Sequence, residues 1–188
     1  MTTEKAGAFG AQAAQPSSGS VSLVVREVEY PLFKFDFTLS AARVVVTDAA
    51  GSGSYGALKL FDFKEGAFSV LGCRQSYTAF AEGSALTGAA GDAAFDIGIG
   101  SVAKAAAADG ALGGATDDDI GGEIAITLSS GTGTGSLIEG AKSTAINGTA
   151  TPADIVLNWS GSAATIDASS YIDVTGTVSI IGMWMGDH

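Results

Sequence analysis

The sequence predicts an all-β protein: an antiparallel β-sandwich or jelly-roll-like barrel, with an extended N-terminal arm and one short Ala-rich helix in the middle. Three observations lead to this prediction. Apolar residues alternate with polar ones in many short segments. The 27 glycines against three prolines suit a turn-rich β protein. No long helical segment separates the strands, which argues against a parallel sheet. We therefore expect an arm at residues 1–20 and one β domain at residues 21–188.

Strands in the first half are predicted from apolar alternation at period two. Phe33, Phe35, Phe37 and Leu39 place four large side chains on one face of an extended chain. Glycines and polar residues mark the turns between the apolar segments. The strands predicted in this half span residues 21–25, 33–46, 57–63 and 68–80.

The second half is predicted to contain further strands at residues 94–99, 123–128, 141–150, 154–159 and 171–181. Val102–Ala108 contains four consecutive alanines and is followed by Gly110, which predicts the short helix. A helix this short needs packing to hold it. Gly131–Gly135, interleaved with threonines, is either a loop or a glycine-weakened edge strand.

Charge and reactive side chains exclude several classes of function. The net charge of −11 disfavours nucleic acid as a partner. Cys73 is the only cysteine, so neither an intrachain disulfide nor a thiolate zinc cluster can form. His188 is the only histidine and ends the sequence, which leaves no internal base for a nucleophilic triad. We expect no catalytic residue, no cofactor and no enzyme activity.

The sequence also shows no pattern typical of a membrane-spanning segment or a signal peptide. No segment approaches the roughly 20 apolar residues that span a bilayer. Residues 1–15 lack the apolar core of a signal peptide. We expect synthesis in the cytoplasm and no membrane partner.

Two motifs invite a ligand interpretation. Gly51–Gly56 matches the dinucleotide-binding pattern GxGxxG, but a strand rather than a helix is predicted after it. Asp117, Asp118 and Asp119 cluster hard oxygen ligands, yet the twelfth position of an EF-hand loop would be Leu128 instead of an acid. Two interpretations of the acids remain: an irregular cation site, or an acidic loop that begins a helical turn.

The two tryptophans are predicted to play different parts. Trp159 shares an apolar strand face with Ile155 and Leu157, which indicates core packing. Trp184, flanked by Met183 and Met185, is the candidate for an exposed contact. Together with the tyrosines and the acids, these residues keep a carbohydrate-binding or glycan-cleaving module open as an alternative.

Two groups of segments carry a family resemblance. The first group comprises Phe37–Asp48, Gly53–Phe63 and Gly66–Gly72, and the second comprises Gly148–Asp154, Leu157–Asn158, Val174–Val178 and Gly186–Asp187. Both groups resemble virion proteins from tailed phages. The Ala-rich stretch Ser101–Asp119 departs from the resemblance. The resemblance implies a decoration (cement) protein on the capsid lattice, a homo-oligomer that is a trimer or a dimer with the trimer favoured, and a terminal arm that reaches a neighbour. It implies no catalytic residues.

The leading hypothesis is a non-enzymatic protein that binds the major capsid protein on the outside of a phage head and stabilises the lattice. The candidate partner-binding residues are Phe9, Gln12, Gln15 and Pro16 in the arm, with Trp184. One alternative is a carbohydrate-binding or receptor-binding module of a phage tail or a cell surface. Another is a bacterial surface or filament subunit, which the missing signal peptide disfavours.

Overall fold

The computed structural model describes residues 19–48, 53–63, 66–82, 94–105, 112, 116–127, 135–140, 145–147, 153–161 and 170–186. Within these residues the chain forms ten β-strands: β1 (Ser20–Glu29), β2 (Leu32–Asp48), β3 (Ser54–Phe63), β4 (Ala67–Glu82), β5 (Ala94–Gly100), β6 (Gly122–Thr127), β7 (Gly135–Gly140), β8 (Ala145–Asn147), β9 (Ala153–Gly161) and β10 (Ser170–Gly186). Every strand pair is antiparallel.

The strands join in one sheet of order β6-β5-β9-β3-β2-β10-β4-β7. β1 pairs with the first half of β2, on the side where the second half of β2 pairs with β3. β8 pairs with the start of β4. The sheet curls into a half-barrel, and its two terminal strands, β6 and β7, come within 8 Å of each other between Cα atoms.

Bulges in the long strands produce this curl. Between Leu39 and Ala42, β2 has two residues where β10 has only Thr175, so β2 contains one extra residue at this point. As a result the inward side chains of β2 are odd-numbered up to Leu39 and even-numbered from Ala42. Ala41 takes a positive φ of 47° at this bulge, and its N–H donates to Thr175 Oγ1 at 3.0 Å. Similar shifts occur in β3 and β4. Bulges increase local twist and bend, so they roll the sheet around its apolar face.

The core fills the inner face of the curl. Phe35 makes edge-to-face contacts with Phe61 and Phe68, with ring centroids 5.4 and 5.0 Å apart. Aromatic pairs prefer this geometry because the positive edge of one ring meets the negative face of another. The core extends across the sheet to Ile97 on β5 and Ile180 on β10, both fully buried.

On the outer face, Arg43 links β2 to β10. Its Nε and Nη2 donate to the two carboxylate oxygens of Asp173 at 2.8 Å each, and its guanidinium lies 3.3 Å from the ring centroid of Tyr171. The hydrogen bonds to Asp173 raise the pKa of Arg43. A planar guanidinium suits both contacts at once.

The antiparallel all-β prediction is confirmed, and each predicted strand segment overlaps an observed strand. β7 was not predicted. Residues 101–105 of the Ala-rich segment are not helical, and residues 106–108 lie outside the described part of the chain. A strand and not a helix stands at the GxGxxG segment, as expected, but β3 begins within the segment at Ser54. Residues 1–18 of the predicted arm are outside the described residues, and Ser20 is the first residue of β1.

Candidate functional site

The outer face of the sheet has a covered part and an open part. Over β5 and β9, the stretch between β5 and β6 lies against the strands. Ser101 N and Val102 N donate to Thr116 O at 3.1 and 3.4 Å, and Ile120 N donates to Ile99 O at 3.0 Å. As a result β9 is buried on both faces from Ile155 to Gly161. A strand that is buried on both faces cannot offer side chains to a partner.

Asn158 on β9 holds this covering stretch in place. It is fully buried, and its Nδ2 donates to Val102 O at 2.8 Å and to Asp117 O at 2.7 Å. Its Oδ1 accepts from Lys104 N at 2.9 Å. The amide therefore satisfies two carbonyls and one N–H that would otherwise lose water without compensation.

The three acids proposed as weak cation ligands are used in the same stretch. Asp117 Oδ2 lies 2.8 Å from Lys104 Nζ. Both oxygens of Asp119 accept from Ser101, one from its N–H and one from its hydroxyl, at 2.7 Å each. Asp118 is buried, and its carbonyl accepts from Gly122 N at 2.8 Å. Among the described residues, no group of three His, Cys, Asp or Glu side chains is arranged to hold a metal ion. The geometry gives these acids a role in holding the loop.

Two carboxyls on this side of the sheet have raised pKa values. Burial raises the pKa of Asp96 on β5, and the nearby carboxylate of Glu123 raises it further. Burial also raises the pKa of Asp119, although the two hydrogen bonds from Ser101 act in the opposite direction. In both cases the ionised form is less favourable in the folded protein than in water.

Of the candidate partner-binding residues, only Trp184 lies within the described part of the chain. Its indole is half-buried and packs against the core, under Gly66, where a Cβ atom would stand 1.8 Å from Cη2 of the ring. The backbone N–H of Trp184 donates to Pro31 O at 2.9 Å. Phe9, Gln12, Gln15 and Pro16 lie outside the described residues.

Trp159, predicted in the core, is buried there. Its ring centroid lies 3.6 Å from that of Phe95 on the neighbouring strand β5. Neither tryptophan therefore presents a fully open ring face to solvent.

The open part of the outer face lies over β1, β2, β10 and β4. At the end of this region where β1 turns into β2, five large apolar side chains are exposed. We call them the apolar patch: Val28, Tyr30, Leu71, Met183 and Met185.

Strand register brings the members of the apolar patch together. Met183 pairs with Leu32 on one side and Ser69 on the other. Leu71 stands in the bulge of β4 beside Ile181 and Gly182. Met185 follows Trp184, whose backbone N–H is bonded to the turn at Pro31. Exposed apolar side chains that are grouped at one end of a sheet are typical of an interaction surface.

A polar cluster centred on Asp36 borders the apolar patch. Ser179 Oγ donates to Asp36 Oδ1 at 2.6 Å, and Lys34 Nζ lies 2.9 Å from the same oxygen. Arg26 Nε lies 3.9 Å from Asp36 Oδ2. Burial raises the pKa of Asp36, but the hydrogen bonds from Ser179 and Lys34 outweigh it and lower the pKa below its ordinary value. Arg26 remains exposed, so this border carries positive charge on a chain that is acidic as a whole.

The sequence of β10 contains a signal for the apolar patch. The outward positions of β10 are polar up to Ser179 and become apolar at Ile181, Met183 and Met185. A strand whose solvent side changes from polar to apolar at one end indicates a contact surface there.

Comparison with known proteins gave no match to a family model, to a curated protein or to a solved structure. Within the described residues, no helix is long and apolar enough to span a bilayer.

Replacing Asn158 with alanine should loosen the covering stretch. The change leaves two carbonyls and the Lys104 N–H without their partner, which we expect to cost about 2 kcal/mol or more of unfolding free energy. Hydrogen exchange at Lys104 should accelerate more than exchange in β2. Thr38→Ala, on the exposed face of β2, is the control and should change neither quantity. Unchanged exchange at Lys104 in Asn158→Ala would contradict the assignment.

Replacing Asp96 with asparagine should stabilise the protein at neutral pH. A carboxyl whose folded pKa is raised favours folding below its unfolded pKa, and this advantage is lost as the pH rises through the folded value. The amide imitates the neutral form at every pH. We expect the melting temperature to rise by about 1–2 °C at pH 7, with the difference shrinking below about pH 4. A difference that grows on acidification would reverse the assigned sign.

Proposed function

We propose that this protein is a non-enzymatic structural protein of a tailed-phage head, which decorates the outside of the capsid and stabilises it. It is made in the host cytoplasm and joins the virion, where it binds the major capsid protein and other copies of itself. The observation that carries this proposal is the apolar patch, a group of five exposed large apolar side chains at one end of the open part of the outer face. The resemblance to phage virion proteins adds the identity of the surface it would bind.

The apolar patch has the features of a binding surface. Tyr30 is 70 % exposed and Leu71 is 54 % exposed, although both are side chains that gain free energy from burial. An aromatic ring and two flexible methionines adapt well to a partner surface. The patch lies on paired strands and a hydrogen-bonded turn, so little order has to be gained when it binds.

A capsid lattice repeats the partner surface many times. If one contact is weak, copies that are linked to each other hold the lattice with much greater total affinity. The proposed arm, residues 1–20, would add contacts to a neighbouring subunit. Such an arm suits a partner that offers a long contact.

The finer architecture belongs to the same proposal. We propose that the half-barrel closes in a jelly-roll-like manner, since β6 and β7 approach each other and Gln75 Nε2 on β4 donates to Gly122 O at 3.0 Å. The Tyr77 hydroxyl donates to Gln75 Oε1 at 2.7 Å and fixes that amide. The hydrogen bond to Gly122 joins strands that are far apart in the sheet order. A closed scaffold would be stiff, as a protein that stabilises a capsid should be.

The carbohydrate-binding alternative is less well supported. Trp184, the side chain proposed to stack on a sugar, packs against the core. Trp159 is buried against Phe95 and is also unable to offer a face. Sugar platforms need an aromatic face open to solvent.

Leu71→Asp should reduce binding to purified phage heads at least tenfold, because it places a charge where an apolar contact would be buried. Val45→Asp is the matched control: Val45 is 55 % exposed, close to Leu71 at 54 %, but lies outside the apolar patch. Binding is measured by co-sedimentation with heads of the phage that carries the gene. Equal losses for the two variants would contradict a patch-specific contact.

Removing residues 1–18 should leave the sheet folded and lower the temperature at which decorated heads lose the protein. The deletion spares β1, which begins at Ser20. Retention on heads is followed on heating, and mass spectrometry of purified virions checks that the full chain is present in them. Unchanged retention would remove the arm from the proposal, and a chain missing from virions would remove the proposal itself.

A further inference from the structure

The outer edge of β1 is open in the described part of the chain. β1 is ten residues long and pairs with β2 along one edge, and no described strand pairs with the other. An exposed strand edge presents a row of N–H and C=O groups and is a template for pairing with another strand.

Protection of this edge is uneven along β1. Proteins usually block edge strands with charged side chains, prolines or bulges. The C-terminal half of β1 has Arg26, Glu27 and Glu29 and an irregular register between Glu27 and Glu29. Residues 20–25 have none of these devices and read Ser-Val-Ser-Leu-Val-Val. This half is uncharged, rich in β-branched residues and regular in its pairing with β2.

We propose that two copies of the protein pair through residues 20–26 of β1, antiparallel and about a two-fold axis centred on Leu23. This pairing would continue the sheet of one copy into the sheet of the other. The inference does not depend on the capsid proposal, since it concerns a different part of the surface.

The side chains select this register. A two-fold axis perpendicular to the sheet keeps inward side chains opposite inward side chains. With the axis at Leu23, the inward Val21 faces Val25 of the other copy, and the two Leu23 side chains face each other. Leu23 is only partly buried while Val21 and Val25 are buried, so it has apolar surface left to cover.

Registers with the two-fold axis at a residue next to Leu23 pair the inward side chains less favourably. With the axis at Val24, the inward Val21 would face the carboxylate of Glu27. With the axis at Ser22, the overlap shortens and Val25 faces Gly19. Only the register centred on Leu23 forms three inward apolar pairs and leaves Glu27 and Glu29 outside the overlap. Like charges are thereby kept apart.

The contact is small. Seven residues on each side are fewer than the roughly 20–30 of a standard interface, so association should be weak and concentration-dependent in solution. A contact about a two-fold axis produces a dimer, whereas the sequence resemblance favours a trimer. On a repeating surface, such pairs would bind with increased avidity.

Leu23→Cys tests the register directly. Side chains directly opposite each other in an antiparallel pair have Cβ atoms about 4.5–5.5 Å apart, within reach of a disulfide after small adjustments. Under air oxidation, Leu23→Cys should form a covalent dimer at least tenfold faster than Val21→Cys. In the proposed register, position 21 of one copy lies four residues along the strand from position 21 of the other, or about 13 Å. The wild-type chain gives the baseline, since its Cys73 is buried.

A second pair of variants tests association without a new cysteine. Val24 is 46 % exposed and pairs with Asp36, so Val24→Lys should fold while placing two lysines near the two-fold axis. Val45 is 55 % exposed on β2 and lies outside both the overlap and the apolar patch, so Val45→Lys is the control. Sedimentation velocity over a concentration series should show dimers for wild type and Val45→Lys and monomers for Val24→Lys.

Several results would overturn the proposal. They are a wild-type chain that stays monomeric or forms trimers, equal crosslinking of Leu23→Cys and Val21→Cys, or equal association of the two lysine variants. Circular dichroism identifies any variant that fails to fold. If a cysteine variant does not fold, the proposal is tested by the association of the two lysine variants. Loss of head binding by Leu71→Asp with normal crosslinking through Leu23→Cys would separate the apolar patch from the β1 edge.

Discussion

The pairing of β2 with β10 is the contact on which the rest of the structure depends. Both strands are 17 residues long, and they stay in register from one end to the other apart from a single bulge. β1 and β3 add to one edge of this pair and β4 adds to the other. The inner face of the pair supplies Phe35, Val178 and Ile180 to the core, and the outer face is held by Arg43 and Asp173. A two-stranded ribbon alone would be marginal in water, so the flanking strands are needed to cover it.

Bulges determine where this sheet can interact. The inward row of β4 is odd-numbered from Cys73 onward, but the bulge before it turns Leu71 to the outer face. An apolar side chain is thereby placed outside, next to Met183. The same irregularities that curl the sheet around its core therefore also expose part of the apolar patch. This coupling is common in β proteins, in which bulges aim side chains that regular pleating would bury.

The sequence predicted the strands well because period-two alternation is a local property. The bulge in β2 was not predicted, because Val44, Val45 and Val46 are all apolar and alternation alone does not show which of them turn inward. The packing of Trp184 could have been predicted from alternation, because Trp184 continues the even-numbered inward row of β10 beyond Ile180. The role of Asn158 was not predictable, since its partners Val102 and Asp117 lie 56 and 41 residues away. The acids of residues 117–119 were weak candidates for cation ligands for a similar reason. Their partners Lys104 and Ser101 are brought to them by the fold, and the spacing along the sequence does not show this.

The two halves of the outer face differ in whether the chain itself covers them. Over β5 and β9 the chain covers its own sheet, with a buried amide and an ion pair whose side chains are only 9 % and 14 % exposed. Over β1, β2, β10 and β4, the described residues leave the sheet open, with apolar groups at one end and an unprotected strand edge at its side. Covering one half with the chain itself shows that the fold can hide its outer surface. The apolar patch and the β1 edge at residues 20–26, which we propose as contact surfaces, both lie in this open half.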